Sequence, residues 1–419
     1  MSAAKLQAPR GTYDVLPDDA ARRDAVVDAA RRILGAAGYR RIETPAFEAT
    51  ELFSRGVGAS TDIVQKEMYT FEDGGGRSLT LRPEGTAPVA RAYMEHGMQK
   101  LPQPVKLWYL SSFFRYERAQ RGRQRQFWQV GTEAIGSADP AVDAESIVLL
   151  AELLDALGVR DVRLRLSSLG SPETRVAYRE ELQAYLRAHE DKLSEEVRSR
   201  IDANPLRAFD ADHPGTQAVM AGAPLLLDRL DGEDADHFAE VRALLDEADL
   251  QYELDPTLVR GLDYYARTVF EFTSDALGAQ SGVGGGGRYD GLIEQLGGPA
   301  TPGVGWAAGI ERMLLAAGEQ AVAAPVVDLF VAYGDAQPAV RATAFRIAHR
   351  ARRAGLDAQL ELAGRSLKGQ LKQADRIGAR FVAIVDEEGV TVKDRESGEQ
   401  DELAPDAVIA AVLRGRKLS

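Results

Sequence analysis

The sequence contains no cysteine. Disulfides and thiolate metal sites are therefore excluded, and the chain is expected to work in a reducing, cytoplasmic compartment. Histidine is scarce: His96, His189, His213, His237 and His349 make five in 419 residues, scattered without the spacing of zinc ligands. There is no apolar N-terminal core of a signal peptide and no long uncharged apolar run, so neither a leader nor a membrane span is expected. No glycine-rich stretch ends in Gly-Lys-Ser/Thr, which rules out a Walker-type phosphate loop. What remains is 45% hydrophobic and 27% charged, the composition of a globular protein long enough for two or three domains.

The net charge of −13 argues against general nucleic-acid binding, which needs positive charge at the phosphates. Positive charge is instead concentrated in two places. Between Arg341 and Arg380 ten Lys or Arg face three acids (Asp357, Glu361, Asp375). Such a stretch is also what a solvated helical face looks like. The second place is a hairpin. An apolar run, Val105 to Phe114, predicts a buried strand, and Phe127 to Ile135 predicts another. Between them lie Arg115, Arg118, Arg121, Arg123 and Arg125 against the single acid Glu117. These cations repel one another unless something anionic sits among them, and planar guanidinium groups match phosphate and carboxylate oxygens.

Alternation along the second strand puts Phe127, Gln129, Gly131, Glu133 and Ile135 on one face, and Trp128, Val130, Thr132 and Ala134 on the other, core-facing side. Gln129 and Glu133 then stand about 13 Å apart, a span in which a small amino acid can lie across Gly131. An amphipathic strand with one wet face is the competing reading.

Along the rest of the chain, Pro17 starts a helix that runs to Gly38, followed by a strand (Tyr39 to Thr44) and Pro45. Ser78 to Leu81 predicts a strand, and Thr86 a cap for the helix Ala87 to His96. Glu84, beside that helix start, suits a capping role. A helix is predicted at Ala141 to Leu157 and a strand at Val162 to Leu166; from about 171 to 249 strand signals fade and charged helical stretches dominate. The strand pattern returns at Leu258 and includes Tyr264 and Tyr265, whose side chains would then face opposite ways. Gly282, Gly284 and Gly287 spell a formal G-x-G-x-x-G, but without the strand–turn–helix unit of a dinucleotide site. These glycines instead let backbone pass close to a bound substrate. After an Ala-rich linker at 318–325, β and α segments alternate, predicting a small α/β domain with a mainly parallel sheet.

Several of these strings carry a family resemblance. FRYE (114–117), the arginine-rich loop and RQFWQVGTE (125–133) resemble motif two of class II aminoacyl-tRNA synthetases. TPGVGWAAGIER (301–312) resembles motif three, and the helix–strand–proline segment motif one. RGLDYY (260–265), GGGRYDGL (285–292) and RPEGT (82–86) narrow the resemblance to the histidyl-tRNA synthetase family, in its bacterial form. SLKGQLKQADRIGARFVAIV (366–385) is similar to the class IIa anticodon-binding domain. Trp128, where the family commonly has histidine, and Ala119, where it has proline, depart from the pattern.

The resemblance implies an α+β fold: a class II antiparallel sheet flanked by helices in a catalytic domain at 1–321, a helical insertion at about 171–249, and an α/β anticodon-binding domain at 326–419. It implies a histidine–tRNA ligase that uses ATP with Mg²⁺ and no structural metal, with L-histidine, ATP and tRNA(His) as partners, acting as a cytoplasmic homodimer. By motif position, Arg115 and Arg260 would be catalytic. Glu84, Gly85, Thr86, Gln129, Glu133, Arg260, Tyr264 and Tyr265 would bind histidine, with Glu133 and Tyr265 reading the imidazole. Glu117, Phe127, Arg123 and Arg312 would join Arg115 around ATP, Phe127 stacking on adenine. Arg118 and Gln120 would meet the tRNA acceptor end, which the insertion is also expected to contact. The rival reading is a paralogue serving as regulatory subunit of ATP phosphoribosyltransferase; it keeps the fold but usually lacks the anticodon domain and has degraded motifs. A nucleic-acid-binding module without catalysis is a more distant alternative, disfavoured by the acidic balance.

Overall fold

The computed structural model describes residues 6–58, 61–258, 261–278, 281–318, 327–334 and 337–416. The chain divides into two compact units, 1–322 and 323–419.

In the first unit, α1 (Pro17–Ala36) begins with proline in its first turn and two acids, Asp18 and Asp19, suited to the helix dipole. It buries Val26, Ala30, Ile33 and Leu34 and ends before Gly38, whose φ of 83° reverses the chain. Then come β1 (Arg40–Arg41), β2 (Phe47–Ala49), α2 (Thr50–Gly56), β3 (Tyr69–Glu72), β4 (Ser78–Leu81) and α3 (Thr86–Glu95). The expected strand at Tyr39 to Thr44 shrinks to β1, because only Arg40 and Arg41 pair with a neighbour, at Leu107 and Trp108. β2, β4 and β3 make a small separate sheet. The hairpin follows as β5 (Val105–Phe114) and β6 (Gln126–Ile135), then α4 (Pro140–Ala156) and β7 (Val162–Ser168).

Residues 172–247 are helical: α5 (Pro172–Ala188), α6 (Glu195–Arg200), a 3-10 turn at Pro205–Asp210, α7 (Pro214–Met220) and α8 (Gly232–Glu247). Short β8 (Glu253–Leu254) precedes β9 (Ala266–Ser274), β10 (Gly282–Arg288), α9 (Leu292–Gln295), β11 (Gly303–Gly309) and α10 (Ile310–Ala317). The strand expected to resume at Leu258 starts instead at Ala266; residues 261–264 form a turn. Period-two alternation does not hold there, and Tyr264 and Tyr265 are both buried, with ring centroids 4.7 Å apart.

Among the described residues, eight strands form one sheet in the order β1-β5-β6-β11-β10-β9-β7-β8. All pairs from β5 to β7 are antiparallel, and β1 and β8 add parallel edges. The architecture is α+β. One face of the sheet buries Val130, Ala134, Leu166, Phe270 and Val304 beneath α1, α4, α8 and α10. Leu150 and Leu153 of α4 are fully buried there, and each contributes roughly 1.5–3 kcal/mol by leaving water. The other face carries Tyr109, Phe113 and Val269 against α3, the earlier insertion helices and the aromatic side chains of 264–289. The last helix of the predicted insertion, α8, thus returns to the scaffold.

Arg288 is fully buried between the two layers. It donates to both oxygens of Asp143 on α4 and to the Ser137 carbonyl at 2.9 Å. Its role in the glycine-rich strand is therefore structural: losing the partner of a buried charge of this kind costs about 3–5 kcal/mol.

In the second unit, β12 (Leu329–Tyr333), α11 (Pro338–Arg353), β13 (Ala358–Leu360), α12 (Leu367–Arg376) and β14 (Phe381–Val385) alternate as predicted. The hairpin β15 (Val390–Asp394) and β16 (Gln400–Leu403) and the helix α13 (Val408–Arg416) were not anticipated. The sheet order is β13-β12-β14-β15-β16, with two parallel pairs and two antiparallel ones. It is mixed rather than mainly parallel. Among the described residues of either unit, no helix is long and apolar enough to cross a membrane.

Candidate active site

On the α3 side of the sheet, two cavities adjoin. The larger, about 590 Å³, is lined by Arg115, Glu117, Arg123, Phe127 and Arg312, over Gly284 and Gly285 of β10. The smaller, about 180 Å³, is lined by Glu84, Gly85, Thr86, Tyr109, Tyr264 and Tyr265. Arg115, Gln129, Gly261, Gly285 and Ala307 belong to the walls of both.

The hairpin positions the larger cavity. Arg115 leaves the end of β5 and is held by its Nε, which donates to the Pro83 carbonyl at 2.8 Å. Its guanidinium lies 5.4 Å from the centre of the Phe127 ring. Glu117 stands between Arg115 at 3.9 Å and Arg123 at 3.4 Å, so one acid holds two guanidinium groups. Arg312, in the first turn of α10, donates to the Gly282 carbonyl across the cavity. At the loop tip Gln120 and Arg123 exchange backbone hydrogen bonds of 2.9 Å. Arg118 and Gln120 are exposed there and line neither cavity.

Thr86 does not cap α3. Glu84 does: its carboxylate accepts from the backbone N–H of Thr86 at 2.7 Å and of Ala87 at 3.0 Å. Burial nevertheless raises the Glu84 pKa, with those N–H groups and Arg115 opposing the rise. The Thr86 hydroxyl is thereby left to donate to Glu133 at 2.8 Å.

Glu133 is wholly buried, one layer behind the smaller cavity. Three hydroxyls donate to it: Thr86, Tyr109 at 3.4 Å and Tyr289 at 2.6 Å. Burial pushes its pKa up to about 8, against the pull of these donors. Tyr109, Tyr264 and Tyr289 are held well above the usual phenol range, first by burial, and so remain hydroxyl donors at neutral pH. Two glycines make this arrangement possible. A Cβ at Gly305, across from Glu133 on β11, would lie 2.1 Å from the Glu133 carboxylate. A Cβ at Gly131 would lie 2.3 Å from the Tyr109 ring.

That second contact corrects an expectation. The space over Gly131 is not open for an amino acid, because Tyr109, paired with Gly131 across the hairpin, lays its ring there. The residues missed by sequence reasoning are mainly aromatic, Tyr109, Tyr289 and Trp306. Tyr109 could have been found from the hairpin register, since it stands five residues from Phe114 as Gly131 does from Gln126. Gly284 and Gly286 of β10 pack against β11 backbone and side chain rather than against open space. Arg260 lies outside the described residues.

Trp128 is on the opposite face from the cavities. Its ring lies beneath the Arg23 guanidinium at 5.6 Å, and its backbone N–H donates to Glu311 at 3.1 Å. Glu311 also takes Tyr13 at 2.8 Å and Arg23 at 2.6 Å, tying the N-terminal lead to motif three. Nothing in the structure accounts for Ala119.

The comparisons with known proteins agree with this geometry. The family model for histidyl-tRNA synthetase matches residues 11–313. The chain belongs to the histidyl-tRNA synthetase family. A model for the anticodon binding domain matches residues 321–414. The histidine–tRNA ligase of Halorhodospira halophila is 48% identical over 426 residues, covering 99% of both chains. That of Halothermothrix orenii is 47% identical over 405 residues, covering 95% of this chain and 96% of its own. The crystal structure of apo histidyl-tRNA synthetase from S. aureus superposes with a TM-score of 0.82 at 35% identity, covering 97% of this chain and 100% of that one. The family's activity is histidine–tRNA ligation, and its substrates are histidine, ATP and tRNA.

Proposed function

We propose that the two adjoining cavities divide the substrates of histidine–tRNA ligation, histidine in the smaller and ATP in the larger. The observation that carries this reading is Arg115, which lines both. A guanidinium at that junction faces the histidine carboxylate on one side and the α-phosphate on the other. In the first step a carboxylate oxygen of histidine bonds to the α-phosphorus while the bridge to the β-phosphate breaks. The electron pair leaves with pyrophosphate. A carboxylate is already an anionic nucleophile, so no base is needed; catalysis is positioning and charge stabilisation. In the second step the terminal ribose hydroxyl of tRNA attacks the carbonyl carbon, and AMP leaves.

Within the smaller cavity, Glu84 offers its carboxylate to the α-ammonium group, with Gly85, Thr86 and Gln129 around the amino-acid backbone. Tyr264, whose hydroxyl lies 3.5 Å from Glu84, and Tyr265 close the side-chain end. Glu133 lies behind Thr86 and Tyr109 of the cavity wall with three of its roughly four acceptor directions filled, and the remaining one reads an imidazole N–H that enters past them. An apolar isostere would leave that buried carboxylate short of a donor and be rejected. Arg260, by its place in the motif, completes the α-phosphate site. In the larger cavity Phe127 stacks on adenine, Glu117 accepts from its amino group, and Arg123 and Arg312 hold the outer phosphates. Glu67, Glu117 and Glu271 line the same cavity, so a divalent cation is needed to carry the polyphosphate in. Among the described residues no cluster of three or more His, Asp or Glu side chains is placed to hold a metal ion. In this reading Mg²⁺ comes in with ATP, as the resemblance implies.

Arg118 and Gln120, exposed at the loop tip, meet the acceptor end, and the unit from 326 onward binds the anticodon. Homodimerisation through the helix–strand–proline segment 17–45 follows from its resemblance to motif one, and an exposed aromatic pair just beyond it, Phe47 and Phe71, with centroids 6.2 Å apart, offers apolar surface nearby. The proposed setting is the cytoplasm. Calorimetric titration tests the division of substrates: Thr86→Ala should weaken histidine binding and spare ATP, and Arg123→Ala the reverse. The opposite pattern would sink the assignment.

A further inference from the structure

We propose that Arg207, carried by the helical insertion, is a phosphate-binding residue of the adenylation step. This rests on reading the larger cavity as the ATP site. Arg207 sits in the 3-10 turn Pro205–Asp210, on a segment whose expected role is contact with tRNA. Yet its side chain lines the larger cavity with Arg115, Arg123 and Arg312. Its Nη2 lies 3.8 Å from where a Cβ at Gly261 would stand, and Gly261 belongs to both cavities. The other three guanidinium groups come from the hairpin and α10; Arg207 approaches from a different part of the chain.

Three contacts hold the turn over the site. Arg200 pairs with Asp62 at 3.4 Å, Asn204 donates to Asp263 at 3.3 Å, and Arg175 donates to the Tyr265 carbonyl. Asp62 lines the larger cavity, and Asp263 and Tyr265 belong to the RGLDYY string. The insertion is thus fastened to loops that form the site itself. Arg207 has an intramolecular ion-pair partner, Asp210, at 3.3 Å. Asp210 is half exposed, so a phosphate entering the cavity competes with it for the same guanidinium. With its side chain 23% exposed, Arg207 reaches both protein and cavity. As the α–β bridge breaks, negative charge grows on the departing pyrophosphate, and a guanidinium placed there stabilises it.

The test is histidine-dependent exchange of labelled pyrophosphate into ATP, without tRNA, on the full chain. Arg207→Ala should raise the KM for ATP about tenfold, the scale of one charge-assisted hydrogen bond at a partly exposed site, and leave the KM for histidine within twofold. Arg207→Lys should recover part of the loss. Arg200→Ala, which keeps the Arg207 side chain but loosens the turn that carries it, should raise the ATP KM in the same direction by a smaller factor. Arg123→Ala is the control for the cavity. If Arg123→Ala weakens ATP and Arg207→Ala does not, the inference fails and the cavity assignment stands. If neither weakens ATP, the cavity is not the nucleotide site and both fail. Normal exchange in Arg207→Ala with a raised KM for tRNA in charging would place Arg207 on the nucleic acid and also overturn the inference.

Discussion

Replacing Tyr289 by phenylalanine removes one oxygen atom and leaves the ring. That oxygen donates to Glu133 at 2.6 Å, the length of a charge-assisted hydrogen bond, between two side chains that are 1% and 0% exposed. Both groups are shielded from bulk solvent. To the ionised carboxylate that accepts from the imidazole, such a bond is worth about 1.5–3 kcal/mol, or about tenfold to a hundredfold in an equilibrium constant. Tyr289 also draws the Glu133 pKa down against burial, so its loss drives that pKa higher still. The ionised form needed to accept from an imidazole then becomes rarer at neutral pH. In pyrophosphate exchange, Tyr289→Phe should raise the KM for histidine by about tenfold to a hundredfold and leave the KM for ATP unchanged. The effect should shrink as pH rises through the range above 8, where the wild-type carboxyl ionises. A histidine KM within twofold of wild type in folded protein would refute the reasoning, as would an equal rise in the KM for ATP.

Two further outcomes are expected. Glu133 has an ordinary pKa of 4.5 when exposed and about 8 when folded, so between those values the folded state holds the extra proton. Its contribution to stability is present in full below 4.5 and is lost as pH climbs through 8. Glu133→Gln should therefore flatten the fall in denaturant midpoint between pH 5 and 8; an unchanged slope would mean that Glu133 is ionised in the folded protein. Deleting residues 326 to 419 should spare histidine-dependent exchange and weaken tRNA charging, and normal charging by the shortened chain would show that the second unit does not bind tRNA.

Much of the site was legible in the sequence because its parts are local. The hairpin strands were bounded to within one residue, since apolar alternation and a basic break mark their ends without help from the fold. Trp128, on the core side by alternation, does pack away from the cavities. What sequence could not supply was contact between distant segments. Tyr109 covers Gly131 through strand register, and Tyr289 reaches Glu133 from 156 residues away. Arg207 was hidden in a stretch whose pattern says only that it is helical. Thr86 and Glu84 were both expected to cap the helix; Glu84 does, and the Thr86 hydroxyl is taken by Glu133, a partner from another strand. The turn at 261–264 was misjudged as strand because two adjacent tyrosines resemble β-pattern, whereas both rings turn into one aromatic cluster with Tyr289.

The measurement that bears most directly on the central claim is labelled pyrophosphate exchange into ATP, without tRNA, run in parallel with each of the twenty amino acids. Exchange with histidine alone is predicted, because adenylation and the buried Glu133 pocket would then be shown in one assay. Exchange with several amino acids would contradict the pocket, and no exchange from well-folded protein would contradict the activity itself.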